Sequence, residues 1–80
     1  FNPHTSIEFT VPVTSDIRLE IYNVMGQKIN TLVNKETTAG LYRVQWNGTD
    51  INGVSVSTGM YFYRLEADGF SSTKKMLLIK

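Results

Sequence analysis

Eighty residues make one domain, and a chain this short buries only about 60% of its unfolded surface, so its stability rests on one well-filled core. An apolar fraction of 41%, with four Tyr, four Phe and one Trp, supplies that core and argues against disorder. A net charge of +1, with both signs scattered along the chain, gives no basis for a nucleic-acid partner, and no run approaches the ~18 apolar residues that membrane insertion by a helix requires.

The chain opens at Phe1-Asn2-Pro3 as a domain cut from a longer polypeptide would, so a single domain spanning 1–80 is expected, with any export signal upstream. Ile7, Phe9 and Val11 alternate with Glu8 and Thr10. After Pro12, Thr14-Ser15-Asp16 reads as a turn. Ile17, Leu19 and Ile21 then alternate with Arg18 and Glu20, and Met25-Gly26-Gln27 closes that run. Thr38-Ala39-Gly40 precedes the next alternating run, Tyr42, Val44 and Trp46. Asn47-Gly48 and Asn52-Gly53 separate it from a short Val54–Val56 strand. Tyr61, Tyr63 and Leu65 alternate with Phe62, Arg64 and Glu66 up to Asp68-Gly69, a favoured pair for a two-residue type I′ hairpin.

A period of two places successive side chains on opposite faces of a half-buried strand, and no stretch of helical length repeats at 3.6. The fold class is therefore all-β: a small immunoglobulin-like sandwich of about seven antiparallel strands. With Asp68-Gly69 as the turn, Ala67 opposes Phe70, Leu65 opposes Ser72, Tyr63 opposes Lys74 and Tyr61 opposes Met76. Opposed residues share a face, so Tyr61, Tyr63, Leu65, Met76 and Leu78 should line the core. Arg64, Glu66, Thr73 and Lys75 take the outer face, joined near the open end by Met60, Phe62, Leu77 and Ile79. That half of the hairpin is apolar on both sides, and either a partner or another segment, such as Phe1–Val11, is expected to cover it.

Material for chemistry is sparse. There is no cysteine, and His4 is the single histidine, which leaves almost nothing for a zinc site or a nucleophile–histidine pair. Asp50, Glu66 and Asp68 lie on solvated faces and turns rather than in an apolar pocket that would raise a carboxyl pKa. The stretch Asn47 to Gly53 lacks two ligands of an EF-hand loop, so a tight turn is favoured over an irregular calcium site. Trp46, Tyr42, Tyr61 and Tyr63 fall on core faces, leaving Tyr22 as the one outward aromatic for a carbohydrate. No enzyme activity, metal or cofactor is expected.

Several stretches together resemble one family. "FNPHTSIEFTVP", "IYNVMGQ" (21–27), "GLYRVQWNG" (40–48), "STGMYFYRL" (57–65) and the closing "KKMLLIK" are similar, in order, to the C-terminal sorting domains of the bacterial type IX (Por) secretion system, type A. The same pattern is shared by the immunoglobulin-like domain of flagellar hook-capping proteins. The upstream Asn-Pro pair of the sorting consensus is absent here. A hook-capping domain is internal to its protein, so a chain that stops just after its last strand favours the sorting reading.

That resemblance implies a non-catalytic secretion signal on secreted proteins of Bacteroidetes and related phyla. Its partners would be an upstream cargo domain in the same chain, the outer-membrane type IX translocon, and a cell-surface sortase that removes it. Its route would run through the periplasm to the cell surface or medium. Met60, Phe62, Lys74, Lys75, Leu77, Ile79 and Lys80 are the expected recognition residues, because an exposed edge accepts a partner strand and excess apolar surface supplies area on docking. The alternatives are a structural or spacer immunoglobulin-like module, hook-cap-like or appended to a secreted glycoside hydrolase, and, less favoured, a carbohydrate-binding module.

Overall fold

The computed structural model describes residues 5–79; the expectations for His4 and Lys80, and for Phe1 to Pro3, lie outside that range. Six strands are present among the described residues: β1 (Thr5–Val11), β2 (Ser15–Asn23), β3 (Lys28–Thr37), β4 (Gly40–Trp46), β5 (Gly59–Ala67) and β6 (Phe70–Leu78). β1 pairs with β4 in one sheet, and the other runs β3-β2-β5-β6. All pairings are antiparallel, so the architecture is a two-sheet immunoglobulin-like sandwich.

The alternation read from the sequence becomes the core. Ile7, Phe9 and Val11 of β1, Ile17, Leu19 and Ile21 of β2, Trp46 of β4, Tyr61 and Leu65 of β5, and Leu78 of β6 are buried. Tyr42, Val44, Tyr63 and Met76 pack against them half-buried. Apolar burial of this kind contributes about 25 cal/mol per Å² removed from water, and here it draws one row of side chains from each of β1, β2, β4, β5 and β6. Trp46 sits among them with its ring edge-on to Tyr61, centroids 5.0 Å apart. Its indole N–H donates to the Thr49 carbonyl at 2.9 Å, which satisfies the one polar atom it buries.

The β5–β6 hairpin has the expected register. Nine consecutive pairs run from Gly59↔Leu78 to Ala67↔Phe70 with no bulge. Its turn differs from expectation, because type I′ requires positive φ at both central residues. Only Gly69 has it (φ 90°), and among the described residues none other than glycine does. Asp68 thus escapes the left-handed region, as in a type II turn.

Three other expectations are corrected. The turn after β1 is at residues 12–14, and Ser15 and Asp16 already belong to β2, paired with Thr37 and Glu36. Val54–Val56 is not a strand, leaving six rather than about seven. Asp50 Oδ1 accepts from the amides of Asn52 and Val54 (2.9 and 3.0 Å), and the Val54 carbonyl accepts from the Asp50 amide. These groups are spent inside the loop, and only a single bridge, Thr49↔Ser55, forms. Finally, Thr5–Val11 does not cover the outer face of the last hairpin, since it pairs with β4 in the opposite sheet.

Candidate interaction surface

The outer face of the four-stranded sheet is built by the alternate residues of β2, β5 and β6 that the core does not use. Cross-strand register sets Arg18 beside Glu66, Glu20 beside Arg64, and Tyr22 beside Phe62. Along β6 it sets Thr73 beside Arg64, Lys75 beside Phe62, and Leu77 beside Met60. The face therefore divides into two halves of different character.

The half toward the Asp68-Gly69 turn is ionic. Arg18 Nε donates to Glu66 Oε1 at 3.0 Å, and Arg64 contacts Glu66 Oε2 at 3.0 Å. Glu20 accepts from the Tyr22 hydroxyl at 2.7 Å and from Lys28 Nζ at 3.3 Å, with Arg18 Nε 3.6 Å away. Glu20 is only 5% exposed, and a buried charge is tolerated because it is paired and hydrogen-bonded. The hydrogen bond from Arg18 is the main cause holding the Glu66 carboxyl below the usual carboxylate range. Conversely, Glu66 keeps the Arg18 guanidinium protonated even more firmly than usual. The bond to Glu20 raises the Tyr22 phenol, with desolvation second.

The other half is apolar and open. Met60 is 45% exposed, Leu77 58% and Val24 66%. Phe62 is half-buried between them. A shallow groove of about 300 Å³, lined by Tyr22, Val24, Phe62, Arg64 and Thr73, marks the boundary with the ionic half. A second hollow of about 410 Å³, lined in part by Val24, Ile29, Val56, Met60 and Tyr61, opens beside it.

Of the recognition residues expected from sequence, Met60, Phe62, Lys75 and Leu77 come together here. Ile79 follows past the end of β6 and is exposed. Lys74 does not join them. It opposes Tyr63 and lines a hollow with Phe9, Leu65 and Phe70 on the side facing the other sheet. The two neighbouring lysines thus lie on opposite faces of β6, as successive residues of a strand must, and are not one basic patch. Lys80 is outside the described residues. Val24 was missed from sequence, although extending the outward series Arg18, Glu20, Tyr22 by one step reaches it.

The remaining candidates resolve into structure. In the loop from 47 to 56, Asn30 Nδ2 donates to the carbonyls of Thr49 and Asp50 (2.9 and 3.3 Å), so its oxygens serve the fold. Among the described residues no group of three or more His, Cys, Asp or Glu is placed to hold a metal ion. Tyr42 stacks on Phe9 with centroids 5.6 Å apart, Trp46 and Tyr61 are buried, and the Tyr22 hydroxyl is engaged by Glu20.

Comparison with known proteins agrees with this architecture. Residues 3–70 match the FlgD Ig-like domain family, so the chain belongs to that family. A solved structure of FlgD from P. aeruginosa superposes with a TM-score of 0.74 at 22% identity, over 94% of this chain and 60% of that one. The chain therefore spans 60% of that neighbour's length, under two thirds of it. No curated protein matches the chain significantly by sequence.

Proposed function

We propose that this chain is a non-catalytic, structural immunoglobulin-like module that spaces or orients other parts of a longer protein. The observation that carries this reading is the family match over residues 3–70, supported by the use of polar groups within the fold. Arg18, Glu20, Lys28, Arg64 and Glu66 are tied to one another in ion pairs across β2, β3 and β5. The test is deletion of the domain from its parent protein. The module reading expects export and any catalytic activity of the parent to persist while its assembly or reach is impaired. Loss of export with assembly intact would refute it.

A second reading is favoured by one feature, the exposed apolar half-face at Met60, Phe62 and Leu77, together with the sequence resemblance. Under it the domain is a type IX sorting signal, recognised at the outer membrane and cleaved by a surface sortase. A signal peptide–reporter–domain fusion in a type IX-competent host separates the two. The sorting reading expects the reporter at the cell surface or in the medium, and Leu77→Glu to retain it in the periplasm. Equal periplasmic retention with and without the domain would sink the sorting reading.

A further inference from the structure

The two edges of the four-stranded sheet are unlike. On β3 the pairing with β2 breaks register twice, at Leu19/Glu20 and Ile21/Tyr22, and bulges of this kind twist an edge away from further pairing. β6 is nine residues long, pairs with β5 without a break, has no proline, and among the described residues is hydrogen-bonded to a strand on one side only. It is an unbroken edge with no second ladder among the described residues, although β1 comes close to it on the inner side. Its two central lysines are exposed, and neither Lys74 nor Lys75 has a carboxylate at ion-pair distance among the described residues.

A second copy is a poor occupant. Antiparallel self-pairing over the full strand sets Phe70 against Leu78, and hence Lys74 against Lys74, with Lys75 one place away. Like charges directly opposed destabilise a ladder. We propose instead that β6 accepts an extended segment of a different polypeptide, carrying two adjacent acidic residues flanked by apolar ones, as a fifth strand. Successive residues of such a strand alternate in face, so one acid meets Lys75 on the outer face and its neighbour meets Lys74 on the inner side. The residue two positions from the first acid covers Leu77 beside Met60 and Phe62. Main-chain hydrogen bonds supply affinity, and the charges select the partner. The proposal goes beyond the spacer reading, which needs no such edge.

The test uses the whole chain and a synthetic octapeptide, acetyl-Thr-Val-Thr-Glu-Glu-Thr-Val-Thr-amide, whose symmetry serves either strand direction. Two control peptides replace both Glu by Lys or N-methylate alternate amides. Amide NMR shifts and hydrogen exchange are followed residue by residue. Expected are shifts and slowed exchange confined to β6 and its neighbours with the acidic peptide. Binding of the lysine peptide should be about tenfold weaker or less, as two exposed ion pairs warrant. The double variant Lys74→Glu/Lys75→Glu, checked by circular dichroism for an unchanged fold, should reverse the preference. Equal binding of the acidic and lysine peptides overturns the proposal, as does undiminished binding of the N-methylated peptide. So does a dimer in sedimentation that protects β6 without peptide, which would make a second copy the occupant. Heparin binding that depends on both lysines but leaves β6 amide exchange unchanged would point to a polyanion and likewise overturn it. None of these outcomes bears on the domain-deletion test above.

Discussion

Gly48→Ala tests how the loop after β4 meets the core. Gly48 has φ 75°, in the left-handed region where a β-carbon costs about 1–2 kcal/mol. A β-carbon placed there would lie 3.1 and 3.3 Å from the two terminal methyls of Leu78, which is 1% exposed. Overpacking of a filled core adds about 1–3 kcal/mol, so with the backbone cost the expected loss is about 2–5 kcal/mol. A domain of 80 residues has about 4–12 kcal/mol in all. At about 4–8 °C per kcal/mol for this size, the melting temperature should fall by about 8–40 °C. The control is Gly53→Ala, where φ is 81° but nothing lies within 4 Å of the added carbon, so only the backbone cost applies. Calorimetry on both variants separates strain from contact. Adding Leu78→Val to Gly48→Ala removes the atoms in the way, and the double variant should lose less than the two single losses combined. Equal losses at Gly48 and Gly53, or strict additivity with Leu78→Val, would refute the reasoning.

Asn30→Ala removes both donors to the Thr49 and Asp50 carbonyls; chemical denaturation should show a loss of about 1–2 kcal/mol, with faster amide exchange confined to the loop from 49 to 54. Glu66 lies below its ordinary value of 4.5 in the fold, so the stability it lends is complete above that value and is lost as pH falls through the folded one. Glu66→Gln should accordingly flatten the acid limb of a denaturation midpoint–pH curve, and an unchanged limb would contradict the Arg18 contact. Tyr22 lies above its ordinary 10.0, chiefly through the bond to Glu20, so its contribution is complete below that value and fades as pH rises through the folded one. Phenolate absorbance with Tyr22→Phe as reference should show late ionisation that Glu20→Gln brings forward. Paired Met60→Ser and Leu77→Ser should each change stability by less than about 0.5 kcal/mol, since the fold does not use either outer-face side chain.

The rows Ile7-Phe9-Val11 and Ile17-Leu19-Ile21 were legible because a period of two is a local signal that regular pairing preserves. β3 carries no such row. Its register breaks turn both Ile29 and Leu32 toward the core along with Val33, so the apolar spacing in Lys28–Thr37 matches neither one face nor a helix. The Val54–Val56 expectation failed because β-propensity was outcompeted by the Asp50 carboxylate, which takes the amide of Val54. Met60, Phe62 and Leu77 of the apolar half followed from the Asp68-Gly69 register alone, whereas Val24, on the loop after β2, did not. The ionic half did not, since Glu20 meets Lys28 and Arg18 meets Glu66 only through pairing of β2 with both neighbours. The sorting-type resemblance and the hook-cap-type one rest on the same turns and core rows. Those residues define the sandwich, and therefore the family, rather than the role.

The Thr49 carbonyl receives one donor from each layer, Trp46 of the two-stranded sheet and Asn30 of the four-stranded one. β1 and β6 lie in different sheets and share no ladder. For a module strung between neighbours, tension entering ahead of β1 and leaving after β6 would meet no continuous row of backbone bonds loaded in shear. It would instead pull one layer across the other, against side-chain packing and a few bonds between β3 and the loop after β4: Asn30 to the Thr49 and Asp50 carbonyls, and the Ile51 amide to the Ile29 carbonyl. Such a unit should yield at modest force, and Asn30→Ala should lower that force further.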